Sequence, residues 1–153
     1  MIQRIQTVFL LVVVGCLIAV QFFPYWTGVS ESGVETQFFS YAKLIQENGA
    51  FTKIYGALSI VSGLSIVACI VAMIEIFVYK NRVLQMILGS VNTLFLVAAI
   101  GTMAYVGYSS SKELAGSFDA GIFILGVAMV CNTMARKFIQ KDDQLVKSVD
   151  RLR

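Results

Sequence analysis

The stretch VLQMILGSVNTLFLVAAIGTMAYVGY, Val83 to Tyr108, carries no charged side chain. A helix that crosses a bilayer needs roughly 20 mostly apolar residues, and this run exceeds that. Working outward, three more runs have the same character: about Ile5 to Phe23, about Ile54 to Tyr79 with Glu75 as its one acid, and about Phe118 to Met134 with Asp119 at its edge. A membrane β-barrel would show alternation in segments of about ten residues; these runs are continuous and longer. Backbone groups in lipid must pair internally, as helices allow. The expectation is an all-α fold, an integral membrane four-helix bundle forming one domain over residues 1–153, with a longer external loop between the first two helices.

Composition agrees. Of 153 residues, 58% are hydrophobic and 14% charged, and the mean hydropathy is +0.79. Soluble domains carry about 25% charged residues. The first run starts basic but ends Gln21-Phe22-Phe23-Pro24-Tyr25-Trp26, without a small-x-small cleavage site, so it reads as a retained helix and not a signal peptide. Pro24 would end that helix, with Tyr25 and Trp26 at headgroup level.

Orientation comes from the basic residues. Arg4, Lys80, Arg82, Arg136, Lys137, Lys141, Lys147, Arg151 and Arg153 fall on one side of the four spans. Lys43, Lys53 and Lys112 fall on the other, with Glu31, Glu35, Glu47, Glu113 and Asp119. The positive-inside rule puts the first group, and both chain ends, in the cytoplasm of a bacterial inner membrane. In the 27–53 segment, Gly28, Ser30, Ser32 and Gly33 suggest a turn, and Val34, Thr36 and Phe38 alternate briefly like a strand. Phe38 to Gln46 reads equally as a short interfacial helix.

Few residues point to chemistry. Histidine is absent, which removes the commonest general acid/base and metal ligand near neutral pH. Cys16, Cys69 and Cys131 lie singly in apolar runs, a spacing that argues against metal or redox sites. No cofactor is expected. Glu75 is a functional hypothesis by position; the plainer reading is an ion pair with Arg4, Lys80 or Arg82, or a carboxylate that reaches water. Asp119 is placed to cap the fourth helix. Gln21, Asn92 and Asn132 suit bridges between helices, and Ser59 with Gly63 is a small-xxx-small step that lets backbones approach. In the tail, Phe138, Leu145, Val149 and Leu152 fall near one helical face, and Asp143 precedes Lys147 by four. The tail suits anchoring on anionic lipid or docking of a partner helix. Asp142, Asp143 and Asp150 interrupt its positive charge, so nucleic acid is not an expected partner.

The opening Met1-Ile2-Gln3-Arg4-Ile5-Gln6-Thr7, the turn Tyr79-Lys80-Asn81-Arg82-Val83-Leu84-Gln85 and the closing Ile139 to Arg153 segment, ending Asp150-Arg151-Leu152-Arg153, resemble a Bacteroidota family of small four-helix membrane proteins of uncharacterised function. The resemblance implies a Gram-negative inner membrane and brings no activity, cofactor or catalytic residue. Three function classes follow. The favoured one is a non-enzymatic interaction or scaffold protein, an accessory subunit whose partners are the lipid bilayer and a membrane protein or a second copy. Its working surface would be a cytoplasmic rim of Arg4, Glu75, Lys80, Asn81, Arg82, Lys141, Asp142, Asp143, Lys147, Asp150, Arg151 and Arg153. The alternatives are a small transporter using Glu75 and the intramembrane amides, and a membrane enzyme acting on lipid or quinone.

Overall fold

A computed structural model describes residues 3–47, 50–56, 59–79 and 81–150. Four helices are present: α1 (Gln3–Ala19), α2 (Ser59–Phe77), α3 (Arg82–Ser110) and α4 (Ala120–Asp150). α2, α3 and α4 are long and apolar enough to cross a membrane; α1 is a shorter apolar helix. Its 17 residues rise about 25 Å. α1 packs on α2 and α4, and α3 packs on the same two, so the helices form a ring. Their outward faces are lined by exposed apolar side chains such as Leu11, Ile66, Leu94 and Val130. Water would penalise that surface and lipid would not.

The fold is not all-α. Five strands form an antiparallel sheet at one end of the bundle: β1 (Trp26–Val29), β2 (Glu35–Phe38), β3 (Lys43–Glu47), β4 (Ala50–Ile54) and β5 (Ala115–Phe118). Their order is β4-β3-β2-β1-β5. The first four are a meander within the segment expected to be a loop, and the last comes from the α3–α4 connection. The alternation at Val34 to Phe38 becomes β2, with a turn before it in which Gly33, at φ +78°, donates its N–H to Ser30 O. The alternative of a helix over Phe38 to Gln46 gives way to β3, because Thr36↔Ile45 and Phe38↔Lys43 pairing supplies the backbone partners a helix would have had to provide. Ile54 and Phe118, expected within helices, belong to β4 and β5.

Trp26 joins sheet to bundle. It pairs with Phe38 on one side and Phe118 on the other, giving an aromatic row across β2, β1 and β5; the Trp26 and Phe38 rings meet edge-on at 5.2 Å. Two residues along, Gly28 pairs with Gly116. A Cβ at either position would run into the Trp26 indole, so the glycine pair makes the flat seat on which the indole lies. Gly107 of α3 approaches both Trp26 and Phe118 from below. Tyr25 and Trp26 are therefore core residues, 0% and 1% exposed, and not headgroup anchors. Burial pushes the Tyr25 phenol above the usual tyrosine range, and its hydroxyl has no hydrogen-bond partner. Gly121 lets α4 start tightly under the same joint, its N–H donating to Pro24 O at 2.8 Å, while Asp119 Oδ1 accepts from Ala120 N at 2.7 Å.

Candidate functional site

The buried residues of each helix trace one line through the bundle. From the sheet end, α2 buries Val61, Ser65, Ala68, Ala72 and Glu75. α3, running the other way, buries Gln85, Gly89, Asn92, Leu96, Ala99, Met103 and Gly107. α1 contributes Gln6, Leu10, Val13 and Leu17, with Val20 in the turn just after it, and α4 contributes Leu125, Ala128, Asn132, Ala135 and Ile139. The part next to the sheet is almost wholly apolar, and the far part is polar. The small residues buried on α2 are thus Ser65, Ala68 and Ala72, whereas Ser59 and Gly63 are exposed and Gly63 has open space beside it.

Glu75 is 0% exposed and does not reach water. Among the described residues its charged neighbour is Arg136 of α4 and not Arg82; of the other two partners the sequence suggested, Lys80 and the side chain of Arg4 lie outside the described residues. Arg82 sits a turn farther out, where Nη2 lies 3.1 Å from Asp142 Oδ2 and Nη1 donates to Asp142 O at 2.9 Å. Glu75 and Arg136 converge on Gly89: a Cβ there would lie 2.9 Å from Glu75 Oε1 and 2.8 Å from Arg136 Cγ. They do not close to an ion pair, and neither carboxyl oxygen nor Arg136 Nε has a hydrogen-bond partner. Gln85 Nε2 donates to the Glu75 backbone carbonyl at 3.2 Å, leaving its own Oε1 unpartnered, as Gln6 Oε1 is. A buried polar atom left without a partner costs on the order of 1–3 kcal/mol, so this end of the bundle carries polar groups that the described residues leave unsatisfied.

One step toward the sheet, the amides bond to one another, although Asn92 Oδ1 has no partner. Asn92 Nδ2 donates to Asn132 Oδ1 at 3.2 Å. Asn132 Nδ2 donates to Gly89 O at 3.1 Å and to Thr93 Oγ1 at 2.9 Å. The two asparagines lock α3 to α4. Gln21 works elsewhere: its Oε1 accepts from Ser40 and Ser62 at 2.7 and 2.9 Å, tying the end of the first helical segment to the sheet connection and α2. The three cysteines are free and half-buried.

A family model matches residues 2–152. The chain belongs to the family described as a domain of unknown function, DUF4293. No curated protein matches it. The match spans both the sheet and the bundle, so the joint at Trp26 lies within the family's domain.

Of the rim residues drawn from the sequence, Arg82 and Asp142 come together, and Asn81 caps α3 by accepting the Leu84 N–H at 3.1 Å. Lys141 is exposed and Asp143 half-buried on α4. Lys80, Arg151 and Arg153 lie outside the described residues, as do the side chains of Arg4, Lys147 and Asp150, whose backbones belong to α1 and α4. α4 runs straight through Met134 to Asp150; its 31 residues rise about 46 Å, well beyond a bilayer core of about 30 Å. Phe138 anchors the protruding part by stacking on Phe9, centroids 5.5 Å apart. Arg82→Ala is expected to lower global stability by less than about 1 kcal/mol, because the pair is partly solvated. The change should instead appear as faster amide exchange in α4 beyond Phe138, measured by mass spectrometry. Unchanged exchange there would show that the Arg82–Asp142 contact does not hold the extension.

Proposed function

We propose that the protein is a non-enzymatic interaction subunit of a bacterial inner-membrane assembly, in which the bundle is the anchor and the sheet presents a strand edge to a partner. The basic residues support the orientation: along the sequence, nine fall on the side of the spans that carries the chain ends and three on the other, so the positive-inside rule puts both chain ends in the cytoplasm and the sheet outside. The sequence resemblance of the ends and the α2–α3 turn supports a Bacteroidota membrane.

The carrying observation is β4. It is one of the two edge strands, the other being β5, and all five of its residues are exposed. Its outer edge offers unpaired N–H and C=O groups, the template on which an extended segment adds a strand. Phe51 and Tyr55, 67% and 65% exposed, supply aromatic anchors of the kind that dominate interface energetics. Lys53 in the middle of the edge opposes self-pairing through like charge. It favours an extended, neutral or acidic segment of a different protein as occupant.

A photo-crosslinking residue in place of Phe51, with one in place of the lipid-facing Val127 as control, tests this in native membranes. A discrete adduct to one other protein from position 51 alone is expected. An adduct between two copies, or none above the Val127 control, would overturn the reading. The transporter alternative has the polar far half of the bundle in its favour. It meets Leu17, Val61, Leu96, Ala99, Met103 and Leu125 on the way to the sheet, all buried and apolar.

A further inference from the structure

Four buried acceptor oxygens at the end of the bundle away from the sheet have no donor among the described residues: Glu75 Oε1 and Oε2 on α2, Gln85 Oε1 on α3 and Gln6 Oε1 on α1. The three side chains are 0%, 1% and 4% exposed. Two nearby amide donors are held elsewhere. Gln85 Nε2 is held by the Glu75 carbonyl, and the Asn132 amide by Gly89 and Thr93. An unpartnered donor nearby is Arg136 Nε, on a guanidinium that stops short of the carboxyl.

A set made only of oxygens, with one carboxylate among neutral amides, complements a hard monovalent cation, whose hydration shell such oxygens replace. A divalent ion would call for more carboxylates. Among the described residues no group of three His, Cys, Asp or Glu side chains comes together. A side chain at position 89 would meet both Glu75 and Arg136, so the glycine lets the carboxyl and the guanidinium stem lie against α3. The apolar layers toward the sheet close that side, so entry is from the opposite end, where Arg136 is itself half-buried.

We propose that Glu75, Gln85 and Gln6 form a binding site for a small monovalent cation, sodium or potassium. Arg136 is the tethered charge that moves onto the carboxylate when the cation leaves. The guanidinium then competes with the cation for one partner. The site is independent of the strand edge.

The test uses the full chain in lipid nanodiscs, comparing unfolding midpoints in sodium, potassium and choline chloride at equal ionic strength. Binding to the folded state alone raises stability with ligand concentration. The midpoint in sodium or potassium should exceed that in choline, rise to saturation, and lose the increment in Glu75→Gln. In Arg136→Gln the half-maximal increment should come at a tenfold or more lower cation concentration, because the competitor is gone. Equal midpoints in all three salts, or an increment that survives Glu75→Gln, would overturn the site; an unshifted concentration in Arg136→Gln would overturn the competition.

Should either variant fail to fold, the wild-type chain decides. Dicyclohexylcarbodiimide adds to a membrane-buried carboxyl to give an N-acylurea with no group lost. Labelling of Glu75 in choline that sodium or potassium suppresses supports the site. Labelling indifferent to the salt, or none at Glu75, counts against it.

Discussion

Gly116→Val is expected to lift the sheet off the bundle and to lower stability by about 3 kcal/mol, at the upper end for overpacking. The new side chain meets two things: the Trp26 indole and the Thr27 backbone carbonyl of the paired strand. Neither can move cheaply, because Trp26 is 1% exposed and the carbonyl belongs to the β1–β5 ladder. Gly28→Val should cost somewhat less, since the nearest atoms there are all of the indole. The difference shows in the double variants. Trp26→Leu should recover part of the Gly28→Val loss and little of the Gly116→Val loss, because the carbonyl remains in the way. The chain has one tryptophan, so its emission reports on the joint directly. A red shift in Gly116→Val, with helical circular dichroism retained, is the expected result; an unshifted emission would show that the glycine seat is not required.

Asn132→Leu is the second large effect. It removes one acceptor and two donor contacts at once and leaves the Asn92 amide buried with no partner. A buried amide stripped of its partner costs about 1–3 kcal/mol, so a loss of about 2–3 kcal/mol is expected on unfolding in a denaturing detergent. The double variant Asn92→Leu/Asn132→Leu should cost less than the sum of the single changes, since both amides leave together. A coupling of about 1–2 kcal/mol would fit residues in direct contact. Additive losses would mean that the pair does not act as one unit.

The membrane helices were legible because lipid imposes a length and a composition that no local preference disguises; Val83 to Tyr108 differs by at most two residues at each end from α3, Arg82–Ser110. The sheet was less so. Asn48-Gly49 stands between two runs that pair as Glu47↔Ala50 and onward, and Asn-Gly between alternating runs is the strongest short hairpin signal in a sequence; it was there to be read. β5 was not. Ala115-Gly116-Ser117-Phe118 has no alternation to mark it, and it is a strand only because Trp26↔Phe118 pairing reaches across two helices of sequence. Glu75 stood out as a carboxyl in an apolar run, yet counting its distance to Lys80 put it at the interface, whereas packing against α3 and α4 buries it. Arg136 was counted as one more basic residue of the tail. The signal that would have drawn it inward is its place four residues after Asn132, on the same face of α4. Likewise Gln6, Leu10, Val13, Leu17 and Val20 step along one helical face, and reading that face through would have put Gln6 inside.

The position of β5 also orders events during synthesis. The meander of β1 to β4 is complete before α2 leaves the ribosome, but Trp26 then has neither Gly107, Gly116 nor Phe118 beside it. Its indole is covered only when α3 has crossed and the connection to α4 returns to the sheet. Until then one strand edge and one large aromatic surface stay open, the condition that makes incomplete chains prone to misassembly. The last strand to emerge thus seals the first, and a chain that has not delivered its first three helices cannot close its own sheet.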